Sequence, residues 1–256
     1  MRSLCVFLLL AQPLLFAQSR FDGKWEMKMD TLRFSGTPEE YLLEKGIYHC
    51  ATCAPRVDVR ADGADQRVTG HFFDTISVRA LDSRSVEFIQ KKDRKVTFRA
   101  IETVSPDNQT MTEDFTNTMG AETVAGKAGF VRERKGPAGS HALSGAWQMQ
   151  TVKNSTRAGT ITSYRTTPGG LDISDGGPTY DVKFDGKDYP MNGDPGHATT
   201  SLRLIDEFTI EETDKQDGKI VVVTLMRVSK DGKSMKVESA DQLRGSTMTY
   251  IAEKQP

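Results

Sequence analysis

The sequence has 256 residues, of which 37% are hydrophobic, so the chain has enough apolar material for one large or two small globular domains. This composition excludes a disordered chain, a collagen and a multi-pass membrane protein. The 34 basic and 35 acidic residues nearly cancel, to a formal net charge of -1, and so do not predict the basic surface with which a protein binds nucleic acid.

The first 17 residues have the pattern of a secretory signal peptide. Arg2 gives a short basic start, Leu4–Leu10 is an apolar run, and Ala17 is the small residue expected before a cleavage site. The run is shorter than the ~20 residues that span a membrane, and Pro13 follows it closely. We therefore expect residues 1–17 to be removed, which predicts a secreted or periplasmic protein with no membrane span in its mature form.

Two cysteines, Cys50 and Cys53, would remain after this cleavage. An even pair in an exported chain favours a disulfide, and one that closes a loop of about four residues is a local clip rather than a scaffold. The motif His49-Cys50-Ala51-Thr52-Cys53-Ala54 leaves open a metal site completed by His71, or a redox role. It excludes a covalent haem, which needs histidine directly after the second cysteine. We predict the disulfide, with no metal and no cofactor.

The two halves of the predicted mature chain resemble each other. The matching segments are Phe21–Met27 with Leu143–Met149, Asp58–Asp65 with Asp181–Asp188, Val78–Asp82 with Leu202–Asp206, Lys92–Val96 with Gln216–Ile220, and Val104–Asp107 with Val228–Asp231. Matches that recur in one order indicate a tandem duplication. We predict a first unit over residues 18–135, a turn-rich linker at 136–140 and a second unit over 141–256.

Apolar residues in both units alternate with polar ones, which is the period of a β-strand with one buried face. Ile76–Ala80 and Val96–Ala100 are two such segments, and Asp217-Gly218 and Asp231-Gly232 predict hairpin turns between others. Each unit then has about seven or eight strands, and closure into a barrel removes their unpaired edges. The sequence predicts an all-β fold of two tandem small antiparallel up-and-down β-barrels, each either filled by side chains or with room for one small ligand.

The opening of each unit resembles a lipocalin signature. Gly23-Lys24-Trp25 and Gly145-Ala146-Trp147 each place Gly-x-Trp at the start of a first strand. The wider pattern resembles a group of uncharacterised exported bacterial proteins described as lipocalin-like. This resemblance implies a lipocalin-like β-barrel in each unit, with room for an apolar ligand, and it implies no activity.

The resemblance also implies a role for the two tryptophans of the chain, Trp25 and Trp147. They would be barrel-closing core residues rather than ligand contacts. In lipocalins this tryptophan packs near an arginine of the last strand. Arg132 or Arg134 would therefore lie against Trp25, whereas the end of the second unit offers only Lys254.

Motifs of enzyme active sites are missing from the sequence, which contains neither Gly-x-Ser-x-Gly, nor His-Glu-x-x-His, nor Gly-x-x-x-x-Gly-Lys. His71 and His197 fall in corresponding glycine-containing loops, where they either form a site at a barrel mouth or are solvated. We predict a non-enzymatic exported protein that binds a small, partly apolar ligand or an envelope component.

Two alternative functions remain. A structural or protein-interaction module would have solid barrels, and a metal or redox protein would use His49, Cys50 and Cys53. The residues expected to fill solid barrels are Ile76, Val78, Phe98, Leu202, Ile210, Val222 and Met226. An interior cavity would favour ligand binding over the solid barrels.

Overall fold

The computed structural model describes residues 19–120, 122–154, 156–174, 179–192 and 198–256. Within these residues the fold is all-β, with 21 strands and two single-turn 3₁₀ helices, Met29–Thr31 and Ala158–Thr160. None of the helices in this part of the chain has the length and apolar character needed to cross a membrane. The predicted signal peptide, residues 1–17, lies outside the described residues.

The strands form two antiparallel sheets. The first half of the chain contains β1 (Gly23–Met27), β2 (Arg33–Gly36), β3 (Glu39–Glu44), β4 (Ile47–Cys50), β5 (Val57–Arg60), β6 (Gln66–Arg67), β7 (Thr75–Ala80), β8 (Ser85–Lys92), β9 (Lys95–Val104), β10 (Thr110–Asn117) and β11 (Val124–Lys135). The second half contains β12 (Gly145–Asn154), β13 (Ile161–Thr167), β14 (Gly170–Ser174), β15 (Thr179–Lys183), β16 (Tyr189–Pro190), β17 (Thr199–Asp206), β18 (Thr209–Gln216), β19 (Lys219–Val228), β20 (Ser234–Asp241) and β21 (Ser246–Lys254).

Each sheet curls into a nearly closed barrel, which confirms the predicted fold class. The first barrel has the strand order β5-β4-β3-β12-β11-β10-β9-β8-β7-β6. The second has the order β15-β14-β13-β1-β21-β20-β19-β18-β17-β16, and β2 also pairs with β21. Each barrel has its own cluster of buried apolar side chains in its interior.

The repeated Asp-Gly dipeptides bring the two ends of each sheet together. Asp62 bridges Arg79 of β7, and the Gly63 N–H donates to the Val78 carbonyl oxygen at 2.8 Å. In the second barrel Asp185 bridges Arg203 of β17 in the same way. Gly63 has φ +80°, a conformation that an L side chain rarely adopts. The sequence repeat at these positions is therefore a requirement of barrel closure.

The first strand of each half belongs to the barrel of the other half. β1 pairs with β13 and β21 of the second barrel, where Trp25 lies opposite Thr162 and Lys254. β12 pairs with β11 along its whole length and with β3 near its start. The barrels therefore do not coincide with the predicted units 18–135 and 141–256, because the first unit contributes β1 and β2 to the second sheet and the second unit contributes β12 to the first. The unit boundaries stay a prediction about the duplication.

The predicted linker at 136–140 lies in the loop of a hairpin between β11 and β12. Within this loop the Gly136 N–H donates to the Ser144 carbonyl oxygen at 3.1 Å, and the Ser140 N–H donates to that of Pro137 at 3.2 Å. Closing a short loop has a smaller entropy cost than bringing β1 back across the first unit. We infer that β12 takes the first-strand position of the first barrel for this reason, and β1 takes the equivalent position in the second barrel.

Both predicted Asp-Gly turns are confirmed. Asp217-Gly218 joins β18 to β19 with φ angles of 50° and 74°, and Asp231-Gly232 lies between β19 and β20. The equivalent turn of the first barrel, Asp93-Arg94, has nearly the same φ angles, 50° and 69°. Hairpin geometry thus imposes a positive φ even where no glycine is present.

The predicted alternation fails at the start of β9 and β19. Val96 and Ile220 are 47% and 46% exposed, whereas the expected outward residues Thr97 and Val221 are buried. A β-bulge lies at this point in both barrels. One extra residue in a strand transfers the preceding side chains to the opposite face. The predicted alternation of buried and exposed residues therefore applies only to the residues that follow the bulge.

Cutting the loop between β11 and β12 is expected to leave the two halves associated. A protease site introduced at residues 137–139 would sever this loop without removing a strand, and β1 and β12 would still complete the opposite barrels. We expect the cut protein to elute as one species in native size-exclusion chromatography and to separate in denaturant. Elution as two folded halves would contradict the strand exchange.

Candidate functional site

The core of each barrel contains a fully buried tryptophan. In the first barrel the Trp147 indole N–H donates to the Leu143 carbonyl oxygen at 2.7 Å. In the second barrel the Trp25 indole N–H donates to the Phe21 carbonyl oxygen, also at 2.7 Å. The pairing of the indole N–H allows these large rings to be buried without an unsatisfied donor. Because of the strand exchange, each tryptophan lies in the core of the barrel formed mainly by the other half of the chain.

The cation over each tryptophan comes from the last strand of the other half of the chain, β11 for Trp147 and β21 for Trp25. The Arg132 guanidinium lies 3.8 Å from the centre of the Trp147 ring, and the Lys254 Nζ lies 5.4 Å from the Trp25 ring. The expected contact of Arg132 or Arg134 with Trp25 is therefore wrong, because β1 lies in the second barrel. Arg132 also donates, at 2.6 to 2.7 Å, to the carbonyl oxygens of Asn108, Ala142 and Ser144.

The first barrel encloses a cavity of about 250 Å³, which we call the first-barrel cavity. Its walls include the rings of Tyr48 and Phe88, which meet edge to face with their centroids 5.2 Å apart. Tyr41 packs beside Tyr48, with 6.0 Å between ring centroids. Beyond the cavity, toward the tryptophan end, the barrel is filled by the cross-strand pair Val104 and Met111. Several aromatic rings therefore line the cavity, and apolar side chains fill the barrel on its tryptophan side.

Two glutamates face each other in this cavity. Glu102 on β9 and Glu113 on β10 are direct cross-strand partners, two residues along their strands from Val104 and Met111. Glu102 is only 4% exposed, and among the described residues its Oε2 atom has no hydrogen-bond partner. A third carboxylate of the cavity lining, Glu39, accepts a hydrogen bond from the Tyr41 hydroxyl.

The cavity strongly disfavours negative charge on its acids. Burial raises the pKa of Glu102 well above its usual value, and the Glu113 and Glu39 carboxylates raise it further. Burial, and then Glu39, raise the pKa of Glu113 to about 7. Burial followed by nearby carboxylates also raises the pKa of the Tyr41 and Tyr48 hydroxyls. At neutral pH this group of acids therefore still binds protons that an exposed glutamate would have lost.

The second barrel has an apolar pair where the first has the two glutamates. Met226 on β19 and Val237 on β20 are direct cross-strand partners, and each is 2% exposed. They occupy the positions equivalent to Glu102 and Glu113, since the neighbouring pair Val228 and Met235 repeats the pair Val104 and Met111. The same architecture is thus packed with apolar side chains in one copy and carries two facing acids in the other.

The cavity of the second barrel is about 210 Å³ and contains a different acid arrangement. The Glu212 carboxylate accepts hydrogen bonds from the Tyr180 hydroxyl at 2.7 Å and from the Thr200 hydroxyl at 3.3 Å. This acid therefore belongs to an internal hydrogen-bond network, in contrast to the Oε2 atom of Glu102.

A cleft of about 250 Å³, lined by residues of both barrels, borders the first-barrel cavity. Arg244, in the turn between β20 and β21, lines both the cleft and the cavity. Its side chain is 45% exposed, and its ion pair in the described residues is with Asp241, at 3.7 Å. Arg244 thus brings a residue of the second barrel to the mouth of the first.

The predicted disulfide between Cys50 and Cys53 is present, with 5.4 Å between the Cα atoms. His49 lies on β4 next to Cys50, so its side chain projects from the opposite face of the strand, where its Nδ1 contacts the Asp58 carboxylate. The thiols and His49 therefore do not form one ligand set. No three His, Cys, Asp or Glu side chains of the described residues are placed to share a metal ion.

Of the two loop histidines, the structure describes His71. His71 lines the first-barrel cavity and stacks on Phe73, with ring centroids 4.8 Å apart. Burial, and then Arg244, lower the pKa of His71. His197 lies outside the described residues. The structure therefore places His71 at the mouth of a cavity.

Glu102 and Glu113 are the candidate site residues that sequence reasoning missed. Extending the alternation of Phe98 and Ala100 by two residues places Glu102 on the inward face of β9. A charged residue on an apolar face is unusual, and this feature of the sequence could have identified Glu102 as a candidate site residue. The pairing of Glu113 with Glu102 could not be predicted from the sequence, because it depends on the register between β9 and β10.

The chain matches no model of a known protein family, and neither a curated protein nor a solved structure shows a significant similarity to it.

Glu113 is expected to make the protein less stable as the pH rises. The folded protein keeps this proton to about pH 7, whereas the unfolded chain loses it near the ordinary value of 4.5. The unfolded state binds fewer protons between these pH values, so the free energy of unfolding falls across this range, by up to about 3 kcal/mol. Urea unfolding at pH 4.5 and 7.5 should show a smaller fall in Glu113→Gln than in the wild type.

Asp114→Asn is the matched control for this measurement, because Asp114 is the next residue of β10 and pairs with Lys127 on the outer face. It should keep the wild-type pH dependence. An equal fall in Glu113→Gln and in the wild type would show that Glu113 titrates normally.

The disulfide is expected to contribute little to stability. It closes a loop of only about four residues, so the chain-entropy contribution is at most about 2 kcal/mol. The double variant Cys50→Ala, Cys53→Ala should remain folded and lose no more than this in urea unfolding. A variant that fails to fold would show that the clip, rather than the barrel core, holds this region.

Proposed function

We propose that this chain is a non-enzymatic, exported binding protein that holds a small, partly apolar ligand in the first-barrel cavity. The observation that carries the proposal is the interior cavity, which is lined partly by aromatic rings and contains a buried polar atom, the Oε2 of Glu102, that has no partner among the described residues. Ligand sites characteristically combine an apolar wall with a few convergent polar groups. The proposal places the ligand between Tyr48, Phe88 and the two facing glutamates.

The size of the cavity limits the ligand. A cavity of ~150 Å³ holds benzene, and typical pockets for larger ligands begin at ~300 Å³. The first-barrel cavity, at about 250 Å³, fits one aromatic ring with a short chain. This volume favours ligand binding over the alternative of a solid barrel, although Ile76, Val78 and Leu202 are buried as that alternative also expects.

Three further observations support the proposal. A β-barrel with an interior cavity is what the resemblance to lipocalin-like proteins implies for a binding protein. The disulfide supports an oxidising compartment, in agreement with the expected signal peptide. The sequence lacks the motifs of the common hydrolases, metalloproteases and phosphate-binding enzymes, which supports binding without catalysis.

Blocking the cavity is the experiment that tests the proposal. Ala100 lines the cavity between Phe88 and Phe115 on the neighbouring strands, and Ala100→Phe would fill part of its volume. The probes are 3-phenylpropan-1-ol, 3-phenylpropan-1-amine and 3-phenylpropanoate, which share a shape and differ in charge. We expect at least one probe to bind the wild type in isothermal titration calorimetry, and Ala100→Phe to weaken it by about tenfold or more.

Thr224→Phe is the matched control, because Thr224 is the equivalent residue of β19 and lines the second-barrel cavity. It should leave probe binding unchanged. Absence of binding by all three probes, or an equal loss in both variants, would reject the first-barrel cavity as the site.

A further inference from the structure

We propose that the first-barrel cavity is selective for an organic cation, an amine attached to a small aromatic body, whose ammonium group contacts Glu102 and Glu113. This inference rests on the proposed function and adds the charge of the ligand to it.

The first argument is the unsatisfied hydrogen-bonding capacity of Glu102. A buried carboxylate oxygen without a partner costs free energy relative to one in water. The Glu102 Oε2 is such an atom among the described residues, and its side chain lines the cavity. A ligand N–H can supply the missing donor, and a charged N–H donor forms the stronger hydrogen bond to a carboxylate.

The second argument is the comparison of the two barrels within the chain. Like charges at direct cross-strand positions destabilise a sheet, and the second barrel avoids this by placing Met226 opposite Val237. The fold therefore does not require acids at this position. The pair Glu102 and Glu113 introduces an unfavourable interaction that a bound cation would relieve, which is the arrangement expected of a site rather than of a core.

The third argument is the chemistry of the cavity wall. The faces of aromatic rings attract cations, and this attraction is greater when water is excluded. Tyr41, Tyr48 and Phe88 line the same cavity as the acids and form one contiguous aromatic cluster. An ammonium group with an aromatic body would find both its charge and its apolar surface accommodated in this cavity.

The remaining charged groups of the cavity lining do not already neutralise the two glutamates. Besides Glu102 and Glu113, the titratable side chains of the described residues that line this cavity are Glu39, Tyr41, Tyr48, His71 and Arg244. The two tyrosines, whose pKa values are raised above the ordinary value of 10.0, are neutral at pH 7, and the lowered pKa of His71 favours its neutral form. Arg244 lies at the mouth with Asp241 as its ion-pair partner. The balance of charge inside is negative once the acids ionise.

Binding of a cation should therefore release protons. The empty cavity retains protons on its acids near neutral pH, and an ammonium group would favour their ionised form. The affinity for the amine should rise with pH across the range in which Glu113 titrates, around pH 7. The affinity for the neutral alcohol should change little over the same range.

The test compares three probes of one shape, 3-phenylpropan-1-amine, 3-phenylpropan-1-ol and 3-phenylpropanoate, on the full mature chain by isothermal titration calorimetry at pH 6 and pH 8. We expect the amine to bind at least about tenfold more tightly than the alcohol at pH 8, and the carboxylate to bind most weakly. Repeating the amine titration in buffers of different ionisation enthalpy should reveal proton release. Equal or tighter binding of the alcohol or the carboxylate would overturn the cation inference and leave the proposed binding function intact, whereas no binding by any probe would reject both.

Two variants separate the glutamates from a general effect of charge. The double variant Glu102→Met, Glu113→Val, with the residues of the second barrel at these positions, should fold and lose the preference for the amine while still binding the alcohol. Glu102→Gln, Glu113→Gln keeps the shape of the wild-type pair and should show the same loss. Asp114→Asn, on the outer face of β10, removes one charge and should keep the preference. A loss of preference in Asp114→Asn as large as in the double variants would contradict a direct role of the cavity acids.

Discussion

The exchange of first strands between the two barrels is the constraint on which the rest of the structure depends. β12 forms a hairpin with β11 and thereby completes the first barrel, which leaves β1 to complete the second. Each barrel interior then contains a tryptophan from the other half of the chain. Trp147 contacts a cation on β11, and Trp25 contacts a cation on β21. Neither half of the sequence contains all the strands of one barrel, so the stability of each barrel depends on the presence of both halves.

This exchange also explains why the two barrels share a boundary. β2 follows β1 to the second barrel and pairs with the start of β21, and the chain then returns to the first barrel at β3. The turn that contains Arg244 is adjacent to this crossing, since the Thr37 N–H donates to the Gly245 carbonyl oxygen at 3.1 Å. The cleft at the mouth of the first-barrel cavity is thus bordered by the segment that connects the barrels. A residue of the second barrel can influence the first cavity for this structural reason.

The two barrels show how one architecture tolerates different interiors. The closing turns, the β-bulges and the pair of valine and methionine near each tryptophan are repeated. The next pair of interior positions is not repeated. It consists of Glu102 and Glu113 in one copy and of Met226 and Val237 in the other. The second barrel shows that this architecture does not require acids at these positions. The proposed cation site would account for the acids of the first barrel.

The sequence by itself determined the features that depend on neighbours along the chain. The alternation of apolar residues, the Asp-Gly turns and the spacing of the two cysteines predicted strands, hairpins and a disulfide, and the duplication predicted two barrels. Only the tertiary structure decided which barrel β1 completes, which cation covers each tryptophan, and that Glu102 faces Glu113 across two strands. The physical reason is that pairing between distant strands follows from competition among loop closures and packing surfaces, and the two first strands, which share the pattern Gly-x-Trp-x-Met, offer similar local patterns to both barrels.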